Sequence, residues 1–434
     1  MTRSIVFSLL TAASLARAQA AQTLTVEDAV NEGLRVNDQL QAARYRAESA
    51  EDTARSARGR LLPALNANDT WQHWDSPFVI QLGPPGAAPP TTARNINTNT
   101  FTLSGDQPIL GLLHRSRDFS AAGSSAEASR ADEANSRSQI AEQVRTTYLR
   151  LFEAKAAVGI AEASIEQLQK QVQDAQARFN AGTITKADLL RFKTAVANAQ
   201  QQRIQAETLA LNARQTLLTL LARNPEDNTI DFVEPVDLEK QTANPVPGSL
   251  DDLVNRALQN RPEVHRAAKQ AESARANGQA RMLELLPEVD VQAAYSNVRG
   301  QIFQPENSFF VGVMTNWPFW TWGTRWYAAR SAERQADAAE SLREDTRKQV
   351  AYDVSSKFVQ LQSQFVVVDV AQTAIASAEE AYRVTSAQVS AGTATTTDLL
   401  DAQSALTTAK LNLARAEYER AVARVALDRA TTAR

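Results

Sequence analysis

The histidines His73, His114 and His265 are the chain's natural candidates for acid–base or metal chemistry, and their spacing supports neither. They fall far apart on different predicted elements, and no His or Glu stands at a metal-site spacing. There is no phosphate-cradling glycine loop, no nucleophile elbow and no cysteine. The residues therefore point to a protein that is not an enzyme and that holds no metal and no cofactor. The acids that stand out are Asp188, Asp398 and Asp401, which follow two Ala-Gly-Thr triplets. Thr185-x-x-Asp188 and Thr395-x-x-Asp398 read as helix capping boxes with the acid in the usual Glu/Gln place. Asp401 differs, because Arg191 stands at the equivalent place in the other half of a duplicated chain. An acid favoured by the helix dipole is the plainer account of Asp401.

The duplication sets the frame for these residues. Residues 24–65 align without a gap on 248–289, pairing Leu34 with Leu258 and Leu62-Pro63 with Leu286-Pro287. A second match pairs Ala181-Gly182-Thr183 with Ala391-Gly392-Thr393, and Asp188-Leu189-Leu190 with Asp398-Leu399-Leu400. Each half is then one structural unit, placed side by side about a pseudo-twofold. The expected order is a signal peptide over 1–20, a first repeat over 21–222, a linker over 223–248 and a second repeat over 249–434. The linker, with Pro225, Pro235, Pro245 and Pro247, suits an irregular equatorial band around the helices.

Proline is absent between Pro108 and Pro225 and after Pro318. Within these stretches the seven-residue rhythm is unbroken, as in Ile140, Val144, Thr147, Leu151, Ala154 and Val158, or Val350, Val354, Lys357 and Leu361. Such a period predicts supercoiled helices, and the many seam alanines predict close ones. Gly182 and Gly392 each stop a long helix and turn it back, giving a helical hairpin in each half. The first arm, residues 112–180, would run about 100 Å and the return arm about 60 Å. A further helix over 26–62, about 55 Å long, makes up the difference, so each half supplies two parallel tracks.

Between the helices, residues 63–110 and 287–320 read as β-hairpins. Val289, Val291, Ala293 and Tyr295 alternate with period two, as do Phe309, Val311 and Val313. All six tryptophans, Trp71, Trp74, Trp317, Trp320, Trp322 and Trp326, fall in or beside these hairpins. Clustered tryptophan suits a bilayer interface, a reading preferred to the blander one of aromatic packing where strands meet helices. Four strands cannot close on themselves, and open edges are not tolerated in lipid, so the chain must share a barrel with copies of itself. Two copies give eight strands and a filled interior, whereas three give twelve and an open lumen.

Residues 1–20 carry Arg3, the apolar run Ile5–Leu15 and Ala18-Gln19-Ala20, the pattern of an export signal. Its removal takes the formal charge from −3 to −5 through loss of Arg3 and Arg17. That balance gives no sign of nucleic acid binding. With no cysteine to carry a lipid anchor, membrane attachment must come from the fold itself.

On the duplicated helix–hairpin–helix–turn–helix order, the chain resembles the TolC family of outer-membrane efflux proteins. The resemblance rests on the Leu-Pro junctions at Pro63 and Pro287 and on Pro108-Ile109-Leu110 and Pro318-Phe319-Trp320. It rests most on Phe179-Asn180-Ala181-Gly182-Thr183 and Val389-Ser390-Ala391-Gly392-Thr393 followed by Asp398-Leu399-Leu400-Asp401. It covers essentially the whole mature chain. It implies a mainly α-helical protein with a transmembrane β-barrel part, as a homotrimer in which twelve strands continue into a tunnel of twelve helical tracks. It also implies outer-membrane location with a periplasmic extension, without lipidation, and contact with outer-membrane lipid. The implied function is the exit duct of a tripartite efflux or type I secretion system. The implied partners are a periplasmic adaptor (membrane fusion) protein and an inner-membrane pump of RND or ABC type. By the same resemblance, Ala181, Gly182, Thr183, Ala391, Gly392 and Thr393 form the adaptor-docking tip, and Asp188, Asp398 and Asp401 belong to the periplasmic entrance. The tyrosine and arginine that latch the family's closed entrance match Val389 and Ala394 here, so any latch must use other pairs. A soluble periplasmic coiled-coil adaptor is the alternative from another class, and it leaves the two aromatic hairpins without a role.

Overall fold

The computed structural model describes residues 22–84, 86, 89–235 and 248–431. The export signal at 1–20, residues 236–247 of the linker and part of the first hairpin loop lie outside the described residues. In chain order the first repeat holds β1 (Gln22–Leu24), α1 (Val26–Val36), α2 (Asp38–Gly59), β2 (Ala64–His73), β3 (Phe78–Ile80), β4 (Thr91–Pro108), α3 (Gly111–Asn180) and α4 (Lys186–Leu220). After β5 (Ile230–Phe232) come α5 (Leu250–Asn260), α6 (Pro262–Leu283), β6 (Glu288–Gln301), β7 (Asn307–Asn316), α7 (Thr324–Ser390) and α8 (Thr396–Thr431).

Two expectations need correction. The helix read over 26–62 is two helices, divided at Asn37, whose backbone is extended at φ −67°, ψ 124°. The second repeat divides at Arg261, at φ −69°, ψ 130°, where Pro262 opens α6 in the first turn that tolerates it. The strand count also differs from four. Among the described residues there is a five-stranded antiparallel sheet in the order β2-β4-β6-β7, with the short β3 pairing the far end of β4. This sheet is open within one chain, with β2 and β7 at its edges. A separate parallel pair joins β1 to β5.

Capping chemistry explains most helix starts. Thr25 with Asp28, Thr185 with Asp188 and Ser249 with Asp252 form reciprocal capping boxes that satisfy otherwise orphaned amides.

The chain separates into two compact units. One holds the described residues of 22–38, 139–235 and 359–427. Its core gathers Val30, Val144, Leu151, Leu217, Leu218, Ile230 and Phe232 around the fully buried Tyr148. The Tyr148 hydroxyl lies 2.8 Å from the Leu24 carbonyl and 2.5 Å from that of Val233, so it ties β1 and the end of β5 to α3. Burial pushes the Tyr148 hydroxyl up to about 12, which keeps it a donor at all working pH.

The other unit holds residues within 39–138, 248–358 and 428–431, including the five-stranded sheet. There α6 and α7 approach closely, since a Cβ on Gly278 would lie 3.4 Å from the Ala332 carbonyl oxygen. Buried Ala329, one turn before Ala332 on the same helix, is equally small. Ion pairs tie the helices together: Arg266 to Asp132 at 2.7 Å and Lys269 to Glu127 at 2.9 Å.

Candidate functional site

The helical tips lie in the first unit. Gly182 and Gly392 have φ +75° and +77°, and a Cβ on either would meet open space. Conformation, not crowding, therefore selects glycine at both places. Thr183 N–H donates to Arg178 O and Gly182 N–H to Phe179 O, both at 2.9 Å. Thr393 and Gly392 repeat the pattern on Gln388 O and Val389 O at 2.9 and 3.2 Å. These bonds make two Schellman motifs, which end α3 and α7 and leave Ala181, Gly182, Thr183, Ala391, Gly392 and Thr393 exposed.

The three aspartates have different surroundings. Asp398 Oδ2 accepts from the Thr395 hydroxyl at 2.7 Å and the Thr395 amide at 2.9 Å. Those bonds hold its carboxyl below the usual range. Asp188 makes the same cap on Thr185, and its Oδ1 also accepts from the Thr396 hydroxyl at 2.9 Å. The Thr185 and Thr396 bonds lower its pKa as well. Asp401 is exposed, and among the described residues it makes no hydrogen bond or ion pair.

Sequence reasoning missed how the two hairpins are fastened. Besides the Asp188–Thr396 bond, Arg191 Nη1 donates to Thr397 Oγ1 at 2.7 Å and Gln171 Nε2 to Tyr382 Oη at 3.1 Å. Arg178 Nη1 adds a longer bond to Val389 O at 3.4 Å. Beneath them Ala175, Leu189, Phe192, Val389 and Leu399 form an apolar cluster. The one signal in the sequence was Arg191 itself, the basic residue standing where the other repeat has Asp401.

The sheet lies in the second unit and has two chemically distinct faces. Strand register places Leu65, Ala67, Trp71, Phe101, Leu103, Val291, Ala293, Tyr295, Phe309, Val311 and Val313 on one face, with Asp69, His73, Asn99, Gln107, Asn297 and Arg299 as its polar exceptions. The opposite face carries Asn66, Asn68, Thr70, Gln72, Thr100, Thr102, Ser104, Asp106, Gln292 and Ser296, with Ala64, Ala294, Val298, Phe310 and Met314 as apolar exceptions. The apolar side chains are exposed: Leu65, Phe309 and Val313 keep 79%, 70% and 69% of their surface.

The tryptophans divide accordingly. Trp71 stands on the apolar face, stacked on His73 with centroids 6.1 Å apart. Trp74 turns to the other face, where its indole N–H donates to Thr98 at 3.2 Å. Trp317, Trp320, Trp322 and Trp326 are all exposed at the junction of β7 with α7. Trp322 has φ +51°, a conformation costly for a bulky side chain, and it is held 84% exposed.

The histidines stay apart. His73 bonds Asn97 Oδ1 at 2.8 Å, and His265 Nε2 lies 2.9 Å from Gln259 O. Among the described residues no group of three potential metal ligands converges, and no helix is long and apolar enough to cross a membrane.

Comparison with known proteins gives these features a family. The family model described as outer membrane efflux protein matches residues 29–223 and 253–433. The outer membrane efflux protein BepC of Brucella suis biovar 1 (strain 1330) is 24% identical over 353 residues, covering 80% of this chain and 74% of BepC. The solved outer-membrane channel OprN superposes with a TM-score of 0.80 at 20% identity, covering 94% of this chain and 89% of OprN. The outer membrane protein VceC of Vibrio cholerae superposes at 0.81 with 18% identity, covering 94% of this chain and 95% of VceC. Membership of a channel family displaces the soluble-adaptor alternative. The mainly helical fold with its single larger sheet is that of the TolC-like channels, and the chain belongs to the outer membrane efflux protein family.

Proposed function

We propose that three copies of this chain form an outer-membrane exit duct, in which β2, β4, β6 and β7 of each copy, without the short β3, make a twelve-stranded barrel continued by a twelve-track helical tunnel. The observation that carries this reading is the open sheet, largely apolar on one face and largely polar on the other, with two unpaired edges. Unpaired strand edges in lipid cost several kcal/mol per group, so β2 of one copy and β7 of the next must pair. The apolar face then meets lipid and the polar face lines the lumen. Heptad-spaced apolar residues left exposed on the helices also support self-assembly: Ile204 and Leu211 on α4, and Val359, Val366 and Val370 on α7.

In this reading the exported, unlipidated protein extends into the periplasm. The turns at Ala181-Gly182-Thr183 and Ala391-Gly392-Thr393 dock a periplasmic adaptor that serves an inner-membrane pump. Asp188, Asp398 and Asp401 belong to the entrance. Trp71, Trp317, Trp320, Trp322 and Trp326 form the interface belt, and Trp74 leaves it because of its different face.

Fractionation and planar-bilayer recording of purified protein test the reading together. Detergent-dependent extraction from outer membranes, a cross-linked trimer and ohmic channels are expected. A monomer that washes off membranes and forms no channels would refute it.

A further inference from the structure

The far end of β4 departs from regular sheet in a way that the duct alone does not require. Arg94 pairs with Gln301 of β6 and Asn99 with Arg299, so residues 95–98 lie opposite Gly300 alone. The crowding is real: a Cβ on Gly300 would sit 2.3 Å from the Asn97 carbonyl oxygen, and its φ is +84°. Such a bulge at a sheet rim re-aims the side chains beyond it.

Arg94 is the side chain re-aimed. Its guanidinium carbon lies 3.6 Å from the centroid of the Trp74 ring. Trp74 in turn bonds Thr98, which is only 3% exposed and belongs to the face that carries Gln72 and Thr100. The stacked pair thus covers the polar face at the loop end of the sheet. Arg94 Nε is buried without a hydrogen-bond partner, and among the described residues no carboxylate pairs with Arg94. The same face carries Asp106 and Asp290 at the end nearest the helices, so its charge changes sign along the strands.

We propose that the Arg94–Trp74 stack is a selectivity site for permeating anions at the loop end of the pore. The inference rests on the duct reading, in which the polar face lines the lumen and three copies bring three guanidinium groups around one axis. Stacking on Trp74 restrains the charge without neutralising it, and a partly desolvated cation draws anions more strongly than a solvated one.

Reversal potentials of the purified channel across a potassium chloride gradient provide the test. Arg94→Gln is expected to lower the chloride-to-potassium permeability ratio about two- to threefold, and Arg94→Lys to retain it. The chain has no native cysteine, so Arg94→Cys gives a single addressable thiol. A cationic thiol reagent should then restore the ratio on an already formed channel, and an anionic one should lower it further. Wild-type ratios in Arg94→Gln, with no response of Arg94→Cys to either reagent, would overturn the assignment while leaving the duct intact. Wild-type protein that forms no channels would remove the duct reading and this inference together.

Discussion

Asn37 and Arg261 occupy equivalent positions in the two repeats and hold nearly the same extended backbone, at φ −67°, ψ 124° and φ −69°, ψ 130°. Each ends one helix so that another begins at once, yet their side chains act differently. Asn37 Nδ2 donates to the Leu220 carbonyl at 3.3 Å. Arg261, buried, donates to Asp353 at 2.7 Å and to Glu263 at 2.9 Å. Duplication preserved the backbone break, while the groups that hold it diverged.

The two positions should therefore differ in cost. Arg261→Ala leaves Glu263 without its main cation and is expected to lose about 3 kcal/mol, the scale for breaking a buried pair. Asn37→Ala breaks no ion pair, only neutral bonding such as that to the Leu220 carbonyl, and should lose less, about 1 kcal/mol. Denaturant unfolding of the detergent-solubilised protein checks the ranking, and equal losses would contradict it.

Acid should act through the same cluster. Burial alone would push the Glu263 carboxyl up, but the hydrogen bonds and charge of Arg261 outweigh it and hold the pKa below its ordinary 4.5. A carboxyl depressed in the fold contributes stability that is full above its unfolded value and lost as pH falls through the folded one. Melting temperature is thus expected to fall below about pH 4.5, and less steeply in Glu263→Gln. Parallel acid curves for the two proteins would exclude Glu263 as a contributor.

At the tips, the double variant Arg191→Ala with Thr396→Val removes two bonds between the hairpins, each worth about 1 kcal/mol. Higher single-channel conductance is expected as the hairpins separate more readily. Conductance equal to wild type would mean that the apolar cluster around Phe192 does the fastening instead.

Asp401 and Asp398 can be separated by their second roles. Asp401→Ala is expected to weaken cation block or preference without a stability change, because its carboxylate caps nothing among the described residues. Asp398→Ala should also lower stability, because it removes the carboxylate that caps the Thr395 amide. Unchanged conductance and ion preference in Asp401→Ala would remove that residue from the entrance.

Trp322 invites a variant with opposed readouts. Trp322→Gly relieves the left-handed backbone, worth about 1 kcal/mol, and should raise stability in detergent. It should also weaken membrane association if the ring serves the interface. A gain in stability with unaltered membrane retention would leave Trp322 outside the belt.

Much of this molecule is written in local pattern. Heptad spacing from Ile140 onward requires one long helix, and Gly182 and Gly392 stop their helices by conformation. The Thr185–Asp188 cap needs only residues three apart. Alternation in β6 and β7 marks which side chains share a face, because the strand period is two. What local pattern lacks is the identity of the residue opposite. Asp188 meets Thr396 across 208 positions and Arg261 meets Asp353 across 92, pairings set by how whole helices rotate and shift against each other. The break at Asn37 was hidden because Asn and Asp also occur inside helices, and tertiary partners decide the matter. Trp74 was indistinguishable from Trp71 by composition. Its spacing of three from Trp71 already sets it on the other face by period-two alternation; only the tertiary structure, with its bulge opposite Gly300, brings Arg94 over its ring.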